Sequence, residues 1–325
     1  MRYTLEKLFA GLTLSQSEAK SMMDKLISDE TPDVQVAAVL STLRMRLPTY
    51  EELMGFRESL LEKATLVDLN GAEAIDMVGT GGDGMNTFNI TTLSALTVAA
   101  AGYRVVKHGN GSASSKHGSS DTLKAAGFSF RHNKSDLLRQ LDAANITFLH
   151  APYFHPALGA VAQLRRSLGV GTIFNLLGPL LNPGQPKYNY IGVADARTQG
   201  LYAQVIAGAS TAYNIVHSND GYDEVTLTGP VRCFSSGGRY GLQARDFGLN
   251  PTAQRSIEVA DDFTSQFHSI LSGNGSEAQT DTVAANTGLA IQLRTDRPLQ
   301  DCVTLAKETL LSGKASKNFE KLLTV

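Results

Sequence analysis

The sequence predicts an α/β fold with a helical segment at its N-terminus, and three observations predict it. Residues 1–66 carry apolar side chains at helical spacing, with Leu5, Leu8 and Phe9 at their start, and no strand pattern interrupts them. From Ala74 onward, the short apolar runs IDMV, RVV, ITFL, YIGVA and NIVH alternate with stretches rich in Ala and Leu, which is the texture of an α/β sheet. Finally, 42% of the 325 residues are hydrophobic and 18% charged, so a large core can be buried and disorder is excluded.

In chain order, the first helices are marked by two S/T-x-x-E boxes, Ser15 to Glu18 and Thr49 to Glu52. In such a box the hydroxyl takes a backbone N–H of the first turn and the glutamate reaches back to the cap. The apolar runs place strands at 75–78, 104–106, 146–149, 190–194 and 214–217. Helices are expected over 92–101, 121–126, 136–144 and 156–168. Pro156 suits a first helical turn, where its missing N–H has no partner to lose. Beyond Gly229 the periodicity fades and assigns no element. No internal repeat or charged linker separates the parts, so the helical segment is expected to pack on the sheet domain.

Charge and cysteine content exclude several classes of function. With 29 Lys and Arg against 31 Asp and Glu, the net charge of −2 leaves no basic stripe, so no nucleic-acid partner is expected. Cys233 and Cys302 form neither a CxxC pair nor a disulfide framework, which suits a reducing, cytoplasmic setting. The first twenty residues alternate charged and apolar side chains, unlike a signal peptide. No run reaches the roughly 18 apolar residues of a membrane span, so no membrane partner is expected either.

Two loops carry the chemistry. After the strand at 75–78 comes Gly79-Thr80-Gly81-Gly82-Asp83-Gly84, and Asn89-Ile90-Thr91-Thr92 then opens a helix. Glycines let backbone N–H groups close on an anion, and a helix N-terminus adds partial positive charge, so diphosphate is a suitable guest. The string is neither GxxxxGK[ST] nor GxGxxG, and an ordinary strand-to-helix turn is the plain alternative. Asp83 would repel a phosphate unless a metal ion or a ribose hydroxyl lay between them. The second loop, 107–121, follows the strand at 104–106. It is dense in small donors, and its lysines offer point charges to phosphate oxygens. Of its histidines, His117 reads as a surface residue and His108 as a residue that shapes the loop or lines a pocket.

Taken together, GTGGDG, NITT, KHGN with its following serines, RRSLG, FNLLGPLLNP and DGYDE run in order from Gly79 to Glu224 and resemble the anthranilate phosphoribosyltransferases. The resemblance implies a small helical domain, 1–68 joined by the helix around 156–180, and a large α/β domain, 69–325. The latter would bind phosphoribosyl pyrophosphate (PRPP) on a central, mostly parallel sheet surrounded by helices. It implies PRPP and anthranilate as substrates, Mg2+ as cofactor, and a homodimer paired through the helical domains. By the same resemblance Gly79, Gly82, Asp83, Thr87, Asn89, Ile90, Thr91 and Thr92 contact PRPP. Lys107, His108, Gly109, Asn110, Gly111, Ser112, Ala113, Ser114, Ser115 and Ser119 belong to the loop that folds over its phosphates and ribose. Gly79, Asn110 and Arg165 touch anthranilate, and a guanidinium can hold its carboxylate by two parallel hydrogen bonds. Thr91, Asp223 and Glu224 are the magnesium ligands, and oxygen donors suit that hard cation.

In one place the chain departs from the pattern: Gly111 stands where the family usually has Arg. The implied reaction is displacement at the anomeric carbon by anthranilate's amine as diphosphate leaves. An aromatic amine is already neutral near pH 7, so no catalytic base is nominated. Two rivals share the fold. A pyrimidine nucleoside phosphorylase needs no paired magnesium carboxylates, and a non-catalytic nucleic-acid-binding relative should be basic.

Overall fold

The computed structural model describes residues 1–28, 30–70, 73–111 and 118–325. Four helices open the chain, Arg2–Phe9, Gln16–Leu26, Asp33–Arg44 and Tyr50–Glu62. Ser15 and Thr49 cap the second and fourth, each in a reciprocal box with its glutamate. Glu52 does more than cap. Its fully buried carboxylate takes the Leu14 and Thr49 N–H groups at 2.9 and 2.8 Å and both arms of the Arg46 guanidinium. A buried charge is tolerable when its lone pairs are filled in this way.

The strands are β1 (Ile75–Gly79), β2 (Val105–Gly109), β3 (Ile146–His150), β4 (Tyr188–Gly192), β5 (Ala212–Ser218), β6 (Val231–Ser235) and β7 (Gly238–Leu242). Among the described residues they form one sheet, ordered β3-β2-β1-β4-β5-β6-β7. The pairs from β3 through β5 are parallel, whereas β5–β6 and β6–β7 are antiparallel. Alternation of side chains across the sheet splits the core in two. Ile75, Met77, Tyr190 and Val216 face the C-terminal helices, among them Glu277–Gln292 and Leu299–Leu311. Val78, Ile191 and Ile215 face the N-terminal helices and the Ala196–Ala207 helix. Val161, Ile173, Phe174 and Leu177 belong to that same second core, because the Gly159–Leu168 and Ile173–Leu177 helices pack on Asp33–Arg44.

The helices expected from 92, 121, 136 and 156 begin at Ile90, Ser119, Lys134 and, after a 3-10 turn at Pro156–Leu158, Gly159. The expected end of the second strand needs correction. Lys107, His108 and Gly109 are strand residues of β2, paired with Phe148, Leu149 and His150, so the loop begins only at Asn110. Ser112, Ala113, Ser114, Ser115 and His117 lie outside the described residues.

Candidate active site

Strand order locates the crevice. From β1 the chain moves one way to β2 and β3, then crosses back to β4 on the other side, so the order reverses between β1 and β4. Parallel sheets bind ligands beyond the carboxyl ends of the strands at such a reversal. Here β1 and β4 end on paired glycines, Gly79 and Gly192, and the reason for glycine is space. A Cβ on Gly192 would stand 1.6 Å from the Asp223 carbonyl oxygen, and one on Gly79 would stand 2.5 Å from Asp223 Oδ2. The segment carrying Asp223 and Glu224 therefore lies directly over the two strand ends.

Beyond Gly79 the chain turns through Gly81, Gly82 and Gly84 at φ of 60, 74 and 74°. L-residues with side chains rarely adopt that region, so this tight turn requires glycine. The turn is tied to β4 by Thr80 N–H to Gly192 O at 2.9 Å and by Ala194 N–H to Thr80 Oγ1 at 3.1 Å. Further on, Phe88 N–H reaches Ile257 O and Val259 N–H reaches Asn86 O, stitching the segment holding Thr87 to the C-terminal half.

Asn89 caps the Ile90–Ala100 helix. The N–H groups at this helix start already have partners inside the protein. Ile90 donates to Phe88 O, Thr91 to Glu224 Oε1 at 2.8 Å, Thr92 to Asn89 Oδ1 and Leu93 to Asn89 O. A carboxylate occupies the position that the helix dipole favours for an anion. The Thr91 hydroxyl also donates to Glu224 Oε1, which leaves its lone pairs for another partner.

Asp223 and Glu224, the expected magnesium ligands, lie in a segment whose sequence suits an exposed turn, yet they are only 7 and 9% exposed. Asp223 Oδ2 accepts from Gly81 N–H at 2.8 Å, and Asp83, whose Oδ1 accepts from Met85 N–H at 3.1 Å, stands beside it. Burial pushes the Asp223 carboxyl up to about 7, with the neighbouring Asp83 adding to the rise. Burial likewise raises Glu224 to about 8, and the charge of Asp223 works in the same direction. Desolvation and like charges both disfavour ionisation, and a cation would oppose both. No group of three or more His, Cys, Asp or Glu side chains forms a closed cage among the described residues. Two carboxylates beside a hydroxyl, open on one side, fit a magnesium ion that takes its other ligands from substrate phosphates and water.

Lys107 and His108 are buried at the other lip. The Lys107 ammonium donates to Met77 O, and burial lowers its pKa to about 8 against the pull of Asp76, Glu224 and Asp223. Asp76, buried under it, is raised to about 6 by desolvation. His108 is held down to about 3, chiefly by burial, so it is neutral and no base at physiological pH. Its ring lies 5.2 Å from that of His155, a residue the sequence does not single out. His108 Nε2 and His155 Nδ1 have no hydrogen-bond partner among the described residues, while His155 Nε2 meets Leu181 O at 2.8 Å. Arg165, in the Gly159–Leu168 helix, lays its guanidinium 5.0 Å over the Phe174 ring, and burial lowers its pKa. Ser119 Oγ donates to Asn110 O at 3.3 Å, tying the start of its helix to the end of β2. Gly111 N–H closes on the Asn110 side chain.

A glycosyl transferase family supplies both halves of the comparison: its helical bundle domain matches residues 2–64 and its α/β domain residues 71–316. The anthranilate phosphoribosyltransferase of Christiangramia forsetii is 41% identical over 325 residues, covering 99% of this chain and 98% of the relative. That of Flavobacterium johnsoniae is 40% identical with the same coverage. Among solved structures, the Thermus thermophilus anthranilate phosphoribosyltransferase superposes with a TM-score of 0.90 at 31% identity, covering 98% of both chains. The Saccharomyces cerevisiae enzyme in complex with PRPP and Mg gives 0.88 at 26% identity, over 98% of this chain and 96% of that one. With the whole length matched and both domains present, the chain belongs to the anthranilate phosphoribosyltransferase family.

Proposed function

We propose that this protein transfers the 5-phosphoribosyl group of PRPP to the amine of anthranilate, releasing diphosphate, in tryptophan biosynthesis. The observation that carries this reading is the buried Asp223–Glu224 pair, set over the ends of β1 and β4 and against the Gly81–Gly84 turn and Thr91. The relatives named above support it, including yeast structures solved with PRPP and Mg and with 4-fluoroanthranilate.

In this reading Asp223, Glu224 and the Thr91 hydroxyl hold magnesium, which when bound offsets the negative charge growing on diphosphate. The glycine turn with Gly82, Asp83 and Thr87, and the segment from Asn110 to Ser119, hold PRPP. Arg165 and Asn110 orient anthranilate through its carboxylate, so that the neutral amine faces the anomeric carbon opposite the leaving diphosphate. Aligning two substrates in one crevice can contribute on the order of 7–11 kcal/mol. No side chain needs to remove a proton before attack, and the neutral, buried His108 agrees with that. We also assign the chain to homodimers paired through the helical segment. Tyr3, Phe9, Leu12, Val34 and Met45 are large apolar side chains left 55 to 87% exposed, all within the first 45 residues. Two buried free cysteines support a cytoplasmic setting.

The test is PRPP-dependent loss of anthranilate fluorescence, with and without Mg2+, for the wild type and for Asp223→Asn combined with Glu224→Gln. Magnesium-dependent turnover that the double variant loses while still folded supports the assignment. Turnover of a nucleoside with inorganic phosphate, and none with anthranilate, would overturn it.

A further inference from the structure

The stretch from Tyr222 to Thr228 is buried or nearly so, yet it belongs to no strand and no helix. Its backbone polar groups therefore need partners from elsewhere, since an unpaired buried amide is costly. Side chains from outside the stretch provide them. Ser218 Oγ donates to Glu224 O at 2.6 Å, and Thr282 Oγ1 donates to Thr226 O at 3.4 Å. Asn286, fully buried in the Glu277–Gln292 helix, grips Val225 twice: its Nδ2 donates to Val225 O at 2.7 Å and its Oδ1 accepts from Val225 N–H at 3.1 Å. The rest of its capacity is also used. Nδ2 donates to Thr282 O at 2.8 Å, and Oδ1 accepts from the buried Tyr190 hydroxyl at 2.7 Å. A primary amide has two donors and two lone pairs, and all four are engaged here.

The Val225 N–H and the Glu224 carbonyl belong to one planar peptide unit. Asn286 fixes one edge of that plane and Ser218 the other. The plane sets the direction in which the Glu224 side chain leaves the backbone, and that side chain meets Thr91 at the helix start. Tyr190, on β4 two residues before Gly192, fixes the Asn286 amide in turn. We propose that Asn286, braced by Tyr190, is a positioning residue for the metal-holding carboxylates: it sets the Glu224–Val225 peptide plane so that Glu224 and Asp223 face the bound diphosphate. The proposal rests on the reading of Asp223 and Glu224 as magnesium ligands.

The measurement is calorimetric titration of PRPP into the full chain, once in Mg2+ and once in EDTA. The ratio of the two dissociation constants is the coupling between metal and PRPP, a quantity separate from turnover. Asn286→Ala should lower that ratio by about tenfold or more and change the EDTA value by less than about twofold, because the carboxylates remain but no longer converge. Tyr190→Phe, close to isosteric, should lower it by roughly two- to fivefold through the loss of one hydrogen bond. Leu289→Ala, a core truncation on the same helix, controls for stability: it should lower the unfolding temperature and leave the ratio within about twofold of wild type. Asp223→Asn is the benchmark and should collapse the ratio.

An unchanged ratio in folded Asn286→Ala, beside a collapsed one in Asp223→Asn, overturns the positioning role alone. Loss of coupling in Leu289→Ala equal to that in Asn286→Ala overturns it too, as a general effect of a loosened helix. Should Asn286→Ala not fold, Tyr190→Phe decides, and an unchanged ratio there refutes the proposal. An unchanged ratio in Asp223→Asn removes the metal reading itself, and the proposal with it.

Discussion

Gly192→Ala adds a single methyl group at the floor of the crevice. Its Cβ would lie 1.6 Å from the Asp223 carbonyl oxygen and 2.8 Å from the carbonyl carbon. Ordinary contact needs about 3.5 Å, so the Asp223 backbone must withdraw by roughly 2 Å. A backbone shift of that size breaks the Gly81–Asp223 and Thr91–Glu224 hydrogen bonds. Overpacking together with the loss of these charge-assisted bonds should cost about 2–4 kcal/mol. For a chain of this size that lowers the unfolding temperature by roughly 3–6 °C. The effect on catalysis should be larger in proportion, because an ångström of misplacement can cost about a hundredfold in rate. Gly79→Ala is the internal comparison. Its Cβ would meet only the Asp223 side chain, at 2.5 Å to Oδ2 and 3.3 Å to Cγ, and a side chain can rotate away. It should therefore impair magnesium-dependent turnover with a stability loss of about 1 kcal/mol or less. Thermal unfolding and anthranilate fluorescence measure both quantities. Gly192→Ala with wild-type kcat/KM and unfolding temperature, or Gly79→Ala as the more destabilised of the two, would refute the reasoning.

Arg165→Ala should raise the anthranilate KM by about tenfold or more and leave the PRPP KM within about twofold, since one substrate alone loses a charge partner; steady-state kinetics in both substrates checks this, and equal changes contradict it. Gly111 is outside the left-handed region, so Arg is admitted there, with its Cβ 3.2 Å from Asp121 Oδ1. Gly111→Arg should tighten PRPP binding about three- to tenfold by restoring a cation and lowering loop entropy; calorimetry showing equal or weaker binding by the folded variant opposes it. Acid stability should depend on His108. His108 is held near 3 in the folded chain against an ordinary value of 6.5, so the unfolded chain binds more protons between those limits. Its contribution is complete above pH 6.5 and falls by about 1.4 kcal/mol per pH unit as pH drops toward 3. Denaturant unfolding of His108→Asn across pH 7 to 4.5 should lack that part of the slope, and an unchanged slope would show that His108 is protonated in the folded protein.

Legibility in the sequence follows what decides each feature. The parallel strands were visible as apolar runs because both of their faces are buried. Strands β6 and β7 were not: Arg232 points to solvent, and β7, from Gly238 through Gly241, is exposed on an edge, so neither carries a continuous apolar signal. Lys107 and His108 read as loop because they are polar. Burial of that pair depends on acceptors and neighbours elsewhere in the fold, Met77 O for the lysine and His155 for the imidazole. The glycine turn was legible from composition, whereas the glycines that admit Asp223 look no different from any others. The acid pair stood out only through its family motif, since DGYDE by itself reads as a surface turn. Asn286 had no signal at all, because its importance is a matter of what comes to lie beside Val225.

The two-sided core has a consequence for how the chain is made. The opening helices bury their apolar stripes against Val161, Ile173, Phe174 and Leu177, and β1 gains its neighbour β4 only when Tyr188 can pair with Ile75. Both partners are synthesised about a hundred residues later, which at roughly 5–20 residues per second is an interval of about 5–20 s. During that interval the nascent N-terminal helices have no completed core to join, and their exposed apolar faces are open to association with other chains. A fragment ending near residue 66 should accordingly lack cooperative unfolding, and only extension through β5, which adds Ile191, Tyr202 and Ile215 to that core, should supply it.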